Sequence, residues 1–410
     1  MNEQLVVKNF GPIDNATVDF KRVTVFIGPT GGGKSTLAKM KAIFTERVLF
    51  AADSGKQYGV LNELLYNYEI NNYARKGSQF RWRVKESGRY DELEATEDSV
   101  IVTLNLAPPL GTKEEYVTQK LQTLIENSRS HSGHELEATE VYFFTQTFSS
   151  EFDKQTIEWY SHRFPQILYI PSDRLFASAA SRGLSRHGMQ NTSLGKPILD
   201  FIEAFSTSRR SVVKFPIKFL GVTLESDGAD SRVTTPQSSL YLHESASGIQ
   251  SVAPMLSVIL DKLRRNGISF NPDTFRFIIE EPELNLYPTA QQGLLNWLVE
   301  KCTKGENDLT ITTHSPYLLA HFNLLLYAYQ VAENHPDRAD DVAKIVPRES
   351  WINPKEFAAY HIEGQKENGV RSIVNSETGL ISYNSLDSAA NAETAEFEKL
   401  MDINAGLEVE

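Results

Sequence analysis

The chain of 410 residues has a single cysteine, Cys302, so an internal disulfide and a thiolate metal cluster are both excluded. It also lacks a long apolar run. A bilayer span needs about 20 consecutive apolar residues, and the most apolar late stretch, residues 317–332, is broken by His321, Asn323 and Gln330. No membrane partner is expected. Positive charge is scarce: 41 Lys and Arg face 53 Asp and Glu, for a net charge of −12. That sign excludes a uniformly basic nucleic-acid binder, because neutralising phosphates takes clustered cations, although a local patch remains compatible with it. No internal repeat or low-complexity tract is evident. Met1-Asn2-Glu3-Gln4 runs directly into a strand pattern, so no cleavable leader is expected and the expected location is cytoplasmic.

What the chain does contain is Gly28-Pro29-Thr30-Gly31-Gly32-Gly33-Lys34-Ser35-Thr36. The nine residues satisfy the Gly-x4-Gly-Lys-[Ser/Thr] phosphate loop, with an apolar strand before them and a helix expected over residues 35–50 after them. Glycines at 28, 31, 32 and 33 let backbone N–H groups turn inward, so an anion meets several donors together with a helix N-terminus. A plain glycine-rich turn would not need the Lys-Ser-Thr that follows. On this reading Lys34 bridges the β and γ phosphates of ATP, and the Ser35 hydroxyl is a ligand of Mg²⁺, which takes few protein ligands.

Phe277-Ile278-Ile279-Glu280-Glu281-Pro282-Glu283-Leu284 reads as a buried parallel strand that ends in adjacent carboxylates. Successive strand residues point to opposite sides, which gives the two acids different roles. Glu280 is expected to hold Mg²⁺ beside Ser35, and Glu281 to act as general base toward the attacking water. A further apolar strand, residues 309–312, leads into Thr313-His314-Ser315-Pro316. His314 therefore stands at the carboxyl end of a parallel strand, where open α/β sheets place their ligand chemistry. Its expected role is to hydrogen-bond the γ phosphate and orient water.

Ala246-Ser247-Gly248-Ile249-Gln250 precedes a helix with an apolar stripe at Val252, Leu256, Ile259, Leu260 and Leu263. A Ser-Gly pair at a helix start is a second anion site, or else an N-cap without a ligand. Two helix starts far apart on one subunit cannot reach one γ phosphate. Two subunits arranged head to tail, each offering Ser247 and Gly248 to the other's ATP, solve that geometry.

These segments together resemble the ABC ATPases of the SMC, RecF and OLD group, especially small stand-alone members of anti-phage and genome-maintenance type. The likeness is carried by Val6-Val7-Lys8-Asn9-Phe10-Gly11-Pro12-Ile13, the phosphate loop, Ser247-Gly248-Ile249-Gln250, Glu280-Glu281-Pro282-Glu283-Leu284-Asn285-Leu286-Tyr287-Pro288 and Thr313-His314-Ser315-Pro316-Tyr317. Ile249 stands where the signature usually has its second glycine, and Glu280 where the acidic strand usually has Asp. The resemblance implies an ATP hydrolase acting as a homodimer or higher homo-oligomer, with Gln250 in the nucleotide-binding signature. It also implies a separate effector, a nuclease or toxin, because fewer than the roughly one hundred residues of a Toprim nuclease follow His314 and no Asp-x-Asp pair is among them. An ATP-locked scaffold that sequesters such a partner is the rival reading; a transporter subunit is the weaker one. Arg174, in Ile170-Pro171-Ser172-Asp173-Arg174, matches a recurrent element of small OLD-like ATPases, as a nucleotide-state sensor or an ion-pair partner.

The expected fold is α/β: a P-loop NTPase head of ABC/SMC type with a mixed sheet, a helical insertion and a small carboxyl-terminal α+β tail. Its pieces are residues 1–50, the first part of the head; 51–165, an insertion with a helical arm or lid; 166–330, the second part of the head; and 331–410, a β-meander followed by an acidic helix bearing Phe397, Leu400 and Met401. Within the insertion, Arg81-Trp82-Arg83-Val84-Lys85 alternates cations with apolar groups, so it fits either a base-stacking nucleic-acid surface or one face of an ordinary strand.

Overall fold

A computed structural model describes residues 2–46, 48–49, 56–86, 89–96, 98–103, 113–132, 145–151, 165–180, 194–268, 274–364 and 369–382. The acidic helix expected near Phe397 lies outside these. In chain order the elements begin with β1 (Asn2–Phe10), β2 (Ile13–Phe20), β3 (Val23–Ile27), α1 (Lys34–Phe44) and α2 (Gln57–Asn67). There follow β4 (Ala74–Glu86), β5 (Arg89–Thr96), β6 (Val100–Thr103), α3 (Lys113–Ser132), β7 (Gln166–Ile170), α4 (Leu175–Ala180) and α5 (Lys196–Ser208). The small strands β8 (Lys214–Ile217), β9 (Val222–Ser226), β10 (Ser231–Thr234) and β11 (Ser239–Tyr241) lead to α6 (Ser247–Ile268) and β12 (Phe275–Glu280). The remainder is α7 (Pro288–Cys302), β13 (Asp308–Thr313), α8 (Pro316–Asn334), α9 (Ala339–Ile345), β14 (Phe357–Ile362) and β15 (Val370–Ser372).

The central sheet runs β15-β14-β3-β13-β12-β7, parallel throughout except at the β15 edge. Its inner strands are apolar on both faces, as a sheet covered from both sides requires. Val23, Val25, Phe277, Ile279 and Ile311 point to one core with Val252, Leu256 and Ile259 of α6, Leu298 of α7 and Phe322 of α8. Phe26 and Ile278 point the other way, to Leu37, Met40 and Ile43 of α1 and to the antiparallel sheet β2-β1-β4-β5-β6. The helix that follows the phosphate loop and the helix that starts at Ser247 thus cover opposite faces. A second antiparallel sheet, β11-β10-β9-β8, joins the α6 side.

Beside the helix α3, the segment 51–165 also carries strands: β4, β5 and β6 join the amino-terminal hairpin, with Leu5 opposite Trp82. The physical reason is the alternation of Phe80, Trp82 and Val84, which places three apolar groups on the core face of one strand. The tail pairs antiparallel within itself, β14 with β15, and its first strand also joins the central sheet. β14 pairs in parallel with β3, Phe357 opposite Val23 and His361 opposite Ile27, because its residues are nearly all buried and belong in a sheet interior.

Candidate functional site

The phosphate loop leaves β3 and enters α1 through left-handed glycines, Gly31 at φ 77° and Gly33 at φ 106°. No side chain caps α1 and no acid lies in its first turn, so its N–H groups stand open to an anion. Pro29, Thr30, Gly31 and Ser35 are exposed, while Gly28, Gly32, Gly33, Lys34 and Thr36 are buried. The burial comes from an unforeseen neighbour. A Cβ built on Gly28 or Gly32 would lie 2.1 Å or 2.5 Å from the carbonyl oxygen of Ile362, at the end of β14.

Lys34 Nζ donates to the carbonyls of Gly28 and Pro29, each at 2.9 Å. Burial lowers its pKa, an effect opposed by Glu281, Glu283 and Glu280. The loop lysine and the acids after β12 are therefore within electrostatic reach of one another. Glu280 is buried, its Oε2 accepts from the Ser172 backbone N–H at 3.3 Å, and its Oε1 is buried without a hydrogen-bond partner. A buried carboxylate with one unused oxygen near a phosphate loop fits a Mg²⁺ site shared with Ser35.

Glu281 takes a left-handed backbone, φ 42°, and its Oε1 lies 3.2 Å from His314 Nε2. Burial and Lys34 depress the His314 pKa, against the opposing pull of Glu281 and of a hydrogen bond to the Gly28 backbone. The neutral imidazole is thereby favoured. His314 is held from behind by Glu283, whose Oε1 accepts from the His314 N–H at 3.1 Å and from Thr313 Oγ1 at 2.5 Å. Burial raises the Glu283 pKa. The sequence shows Glu283 and Thr313 but not that they meet; a carboxylate two residues beyond the base was the available signal.

At α6, Ser247 is exposed, whereas Gly248 is packed so that a Cβ would lie 2.6 Å from the Asn285 carbonyl. Gln250 braces the turn from inside, donating to the carbonyls of His243 at 3.1 Å and Ser245 at 2.7 Å and accepting from Ser178 Oγ at 2.9 Å. The structure thus brings Lys34, Glu280, Glu281 and His314 together, and sets Ser247, Gly248 and Gln250 on the other face of the sheet.

Two family models match, an AAA ATPase domain over residues 111–319 and an AAA domain over residues 4–210, each covering half of the chain. The chain belongs to the AAA ATPase family. This AAA ATPase is accordingly a nucleotide-binding ATP hydrolase with a P-loop α/β fold. Among solved structures it is similar to the SMC head domain from Thermotoga maritima, at 13% identity and TM-score 0.36, over 78% of this chain and 91% of that one. It is also similar to the recombination mediator protein RecF-ATPrS in the RecFOR pathway, at 10% identity and TM-score 0.31, over 91% of this chain and 98% of that one. No curated protein gave a match. Among the described residues of this AAA ATPase no helix is long and apolar enough to cross a membrane.

The base-stacking reading of β4 fails. Phe80, Trp82 and Val84 are buried, so only the cations of that strand face outward, and Arg83 is already paired with Glu92.

Proposed function

We propose that this AAA ATPase is a nucleotide-driven switch in which each ATP is held between two copies, and that its state controls a separate effector protein, plausible settings being anti-phage defence and DNA maintenance. One observation carries the reading: α6 starts at an exposed Ser247 on the face of the sheet opposite α1, so the second anion site of a chain is turned away from its own phosphate loop. A second copy placed head to tail brings Ser247 and Gly248 to that loop.

Within such a site the loop backbone of residues 28–36 and Lys34 grip the β and γ phosphates. Ser35 and Glu280 are the residues that would hold Mg²⁺, which when bound offsets phosphate charge. Glu281 accepts the proton of the attacking water, and its contact with His314 fixes the direction of the carboxylate. His314, favoured as neutral, has a single N–H, which can pass from Glu281 to the γ phosphate when nucleotide is bound.

The test is mixing. Ser247→Arg subunits retain a sound loop and Lys34→Ala subunits retain a sound serine. Each alone is expected to be inactive in ATP hydrolysis. Combined, they are expected to recover one working site in each mixed pair, about a quarter of the wild-type rate in an equimolar mixture that pairs at random. Failure to recover with both variants folded would count against the shared site. A pull-down from the native host tests the effector, with one stoichiometric partner released on ATP turnover as the expected result.

A further inference from the structure

Arg174 is wholly buried, yet its hydrogen bonds go to main-chain carbonyls and not to a carboxylate. Its Nη1 donates to the Glu280 carbonyl at 2.7 Å and the Pro171 carbonyl at 3.2 Å, and its Nη2 to the Glu281 carbonyl at 2.5 Å. Burial lowers its pKa to about 10, opposed by the charges of Glu283, Glu281 and Glu280, so the guanidinium stays charged at neutral pH. A buried charge is weak as a stability device, since apolar residues of similar volume commonly do as well. Its geometry is better matched to holding a turn. Glu281 must keep φ 42°, a left-handed backbone that is strained for a residue with a Cβ. Its N–H is tied to the Thr312 carbonyl at 2.8 Å and its own carbonyl to Arg174, so the peptide units on both sides are fixed.

We propose that Arg174 is a positioning residue for ATP hydrolysis, whose planar fork fixes the left-handed turn at Glu281 and so aims the base carboxylate at His314 and the attacking water. The same short segment reaches the neighbouring acid, because the Ser172 N–H donates to Glu280 Oε2 at 3.3 Å. It also reaches the signature, because Ser178 of α4 donates to Gln250. Residues 172–178 therefore touch the metal-side acid, the base and the segment that a second copy's nucleotide would meet. Arg174 contacts no substrate and acts only through Glu281; the inference rests on Glu281 being the base.

That dependence gives the experiment. ATP turnover and KM are measured for Arg174→Gln, Glu281→Gln and the double variant. Misplacing a catalytic group by about 1 Å costs up to roughly 100-fold, so Arg174→Gln is expected to lower kcat roughly 10- to 100-fold with KM within about 3-fold of wild type. Glu281→Gln alone should fall roughly 100- to 10,000-fold. Because the arginine acts through the glutamate, the double variant should be no slower than Glu281→Gln, within about 3-fold. A merely structural arginine would instead multiply the two losses, and that result, or near-wild-type turnover by Arg174→Gln, overturns the proposal. Should Glu281→Gln itself turn over normally, the base assignment falls and takes this inference with it. If Arg174→Gln does not fold, Arg174→Lys serves, because it keeps the charge and loses the two-armed fork. The same cycle is then expected with a kcat loss of about 10-fold, and a folded Arg174→Lys with wild-type kcat overturns the proposal.

Discussion

Among the described residues four non-glycine positions have positive φ, and two of them, Glu281 and Asn285, bracket the turn that follows β12. Such strain persists where surrounding contacts over-determine the backbone, here Arg174 on one side and the Gly248 packing on the other. Individual side chains also set the response to pH. His321 of α8 is buried against Asn296 Oδ1 at 2.8 Å, and burial lowers its pKa from 6.5 to about 4. The folded chain keeps this ring neutral while the unfolded chain protonates it below the ordinary value. The His321 contribution to stability is therefore intact above pH 6.5, is lost as pH falls and levels off near 4. Urea midpoints measured from pH 7.5 down to 4 should decline less steeply in His321→Gln than in the wild type. The residues of the candidate site could be proposed from the sequence, because Lys34, Ser35, Glu280, Glu281 and His314 sit in short local patterns. Arg174 was visible but its role was not, since its partners are main-chain carbonyls, which leave no mark in a sequence.

Elements were legible where their signal is local. The first three strands, the strand before Glu281 and the strand before His314 fall where apolar runs place them. The partners of β4 and β14 were not legible, for one shared reason: each pairs with a strand far away in the chain, β1 for the former and β3 for the latter. In β4 the alternating cations masked a core face, and in β14 a short apolar run fits a meander as well as a parallel interior strand. The placement of β14 has a cost at the phosphate loop, where only a residue without Cβ can lie beneath the Ile362 carbonyl. Gly28→Ala forces a backbone oxygen aside and should destabilise the fold by about 1–3 kcal/mol, the usual range for overpacking. It should also weaken ATP binding; calorimetric titration and thermal melting read the two effects together.

At the scale of the whole molecule, charge as well as apolar packing ties the sheets together. Glu3 of β1 and Arg276 of β12 form a buried two-pronged ion pair between the antiparallel and the central sheet. Burial alone would raise the Glu3 pKa, but Arg276 beside it brings the carboxyl below the ordinary value. Lys41 of α1 adds contacts to Asp308 and to Thr310 Oγ1, the latter at 2.8 Å. This network sits at the amino ends of the central strands, and the nucleotide residues lie at their carboxyl ends. Glu3→Ala leaves Arg276 buried without its main partner and should cost about 3–5 kcal/mol in urea unfolding. ATP KM should stay close to wild type in whatever fraction remains folded.

The pairing of β14 with β3 bears on how the protein is born. A ribosome releases the phosphate loop first, and the strand that flanks β3 and roofs Gly28 and Gly32 is made more than three hundred residues later. The nascent chain therefore carries its phosphate loop through more than three hundred residues of synthesis without the wall that closes over Gly28 and Gly32.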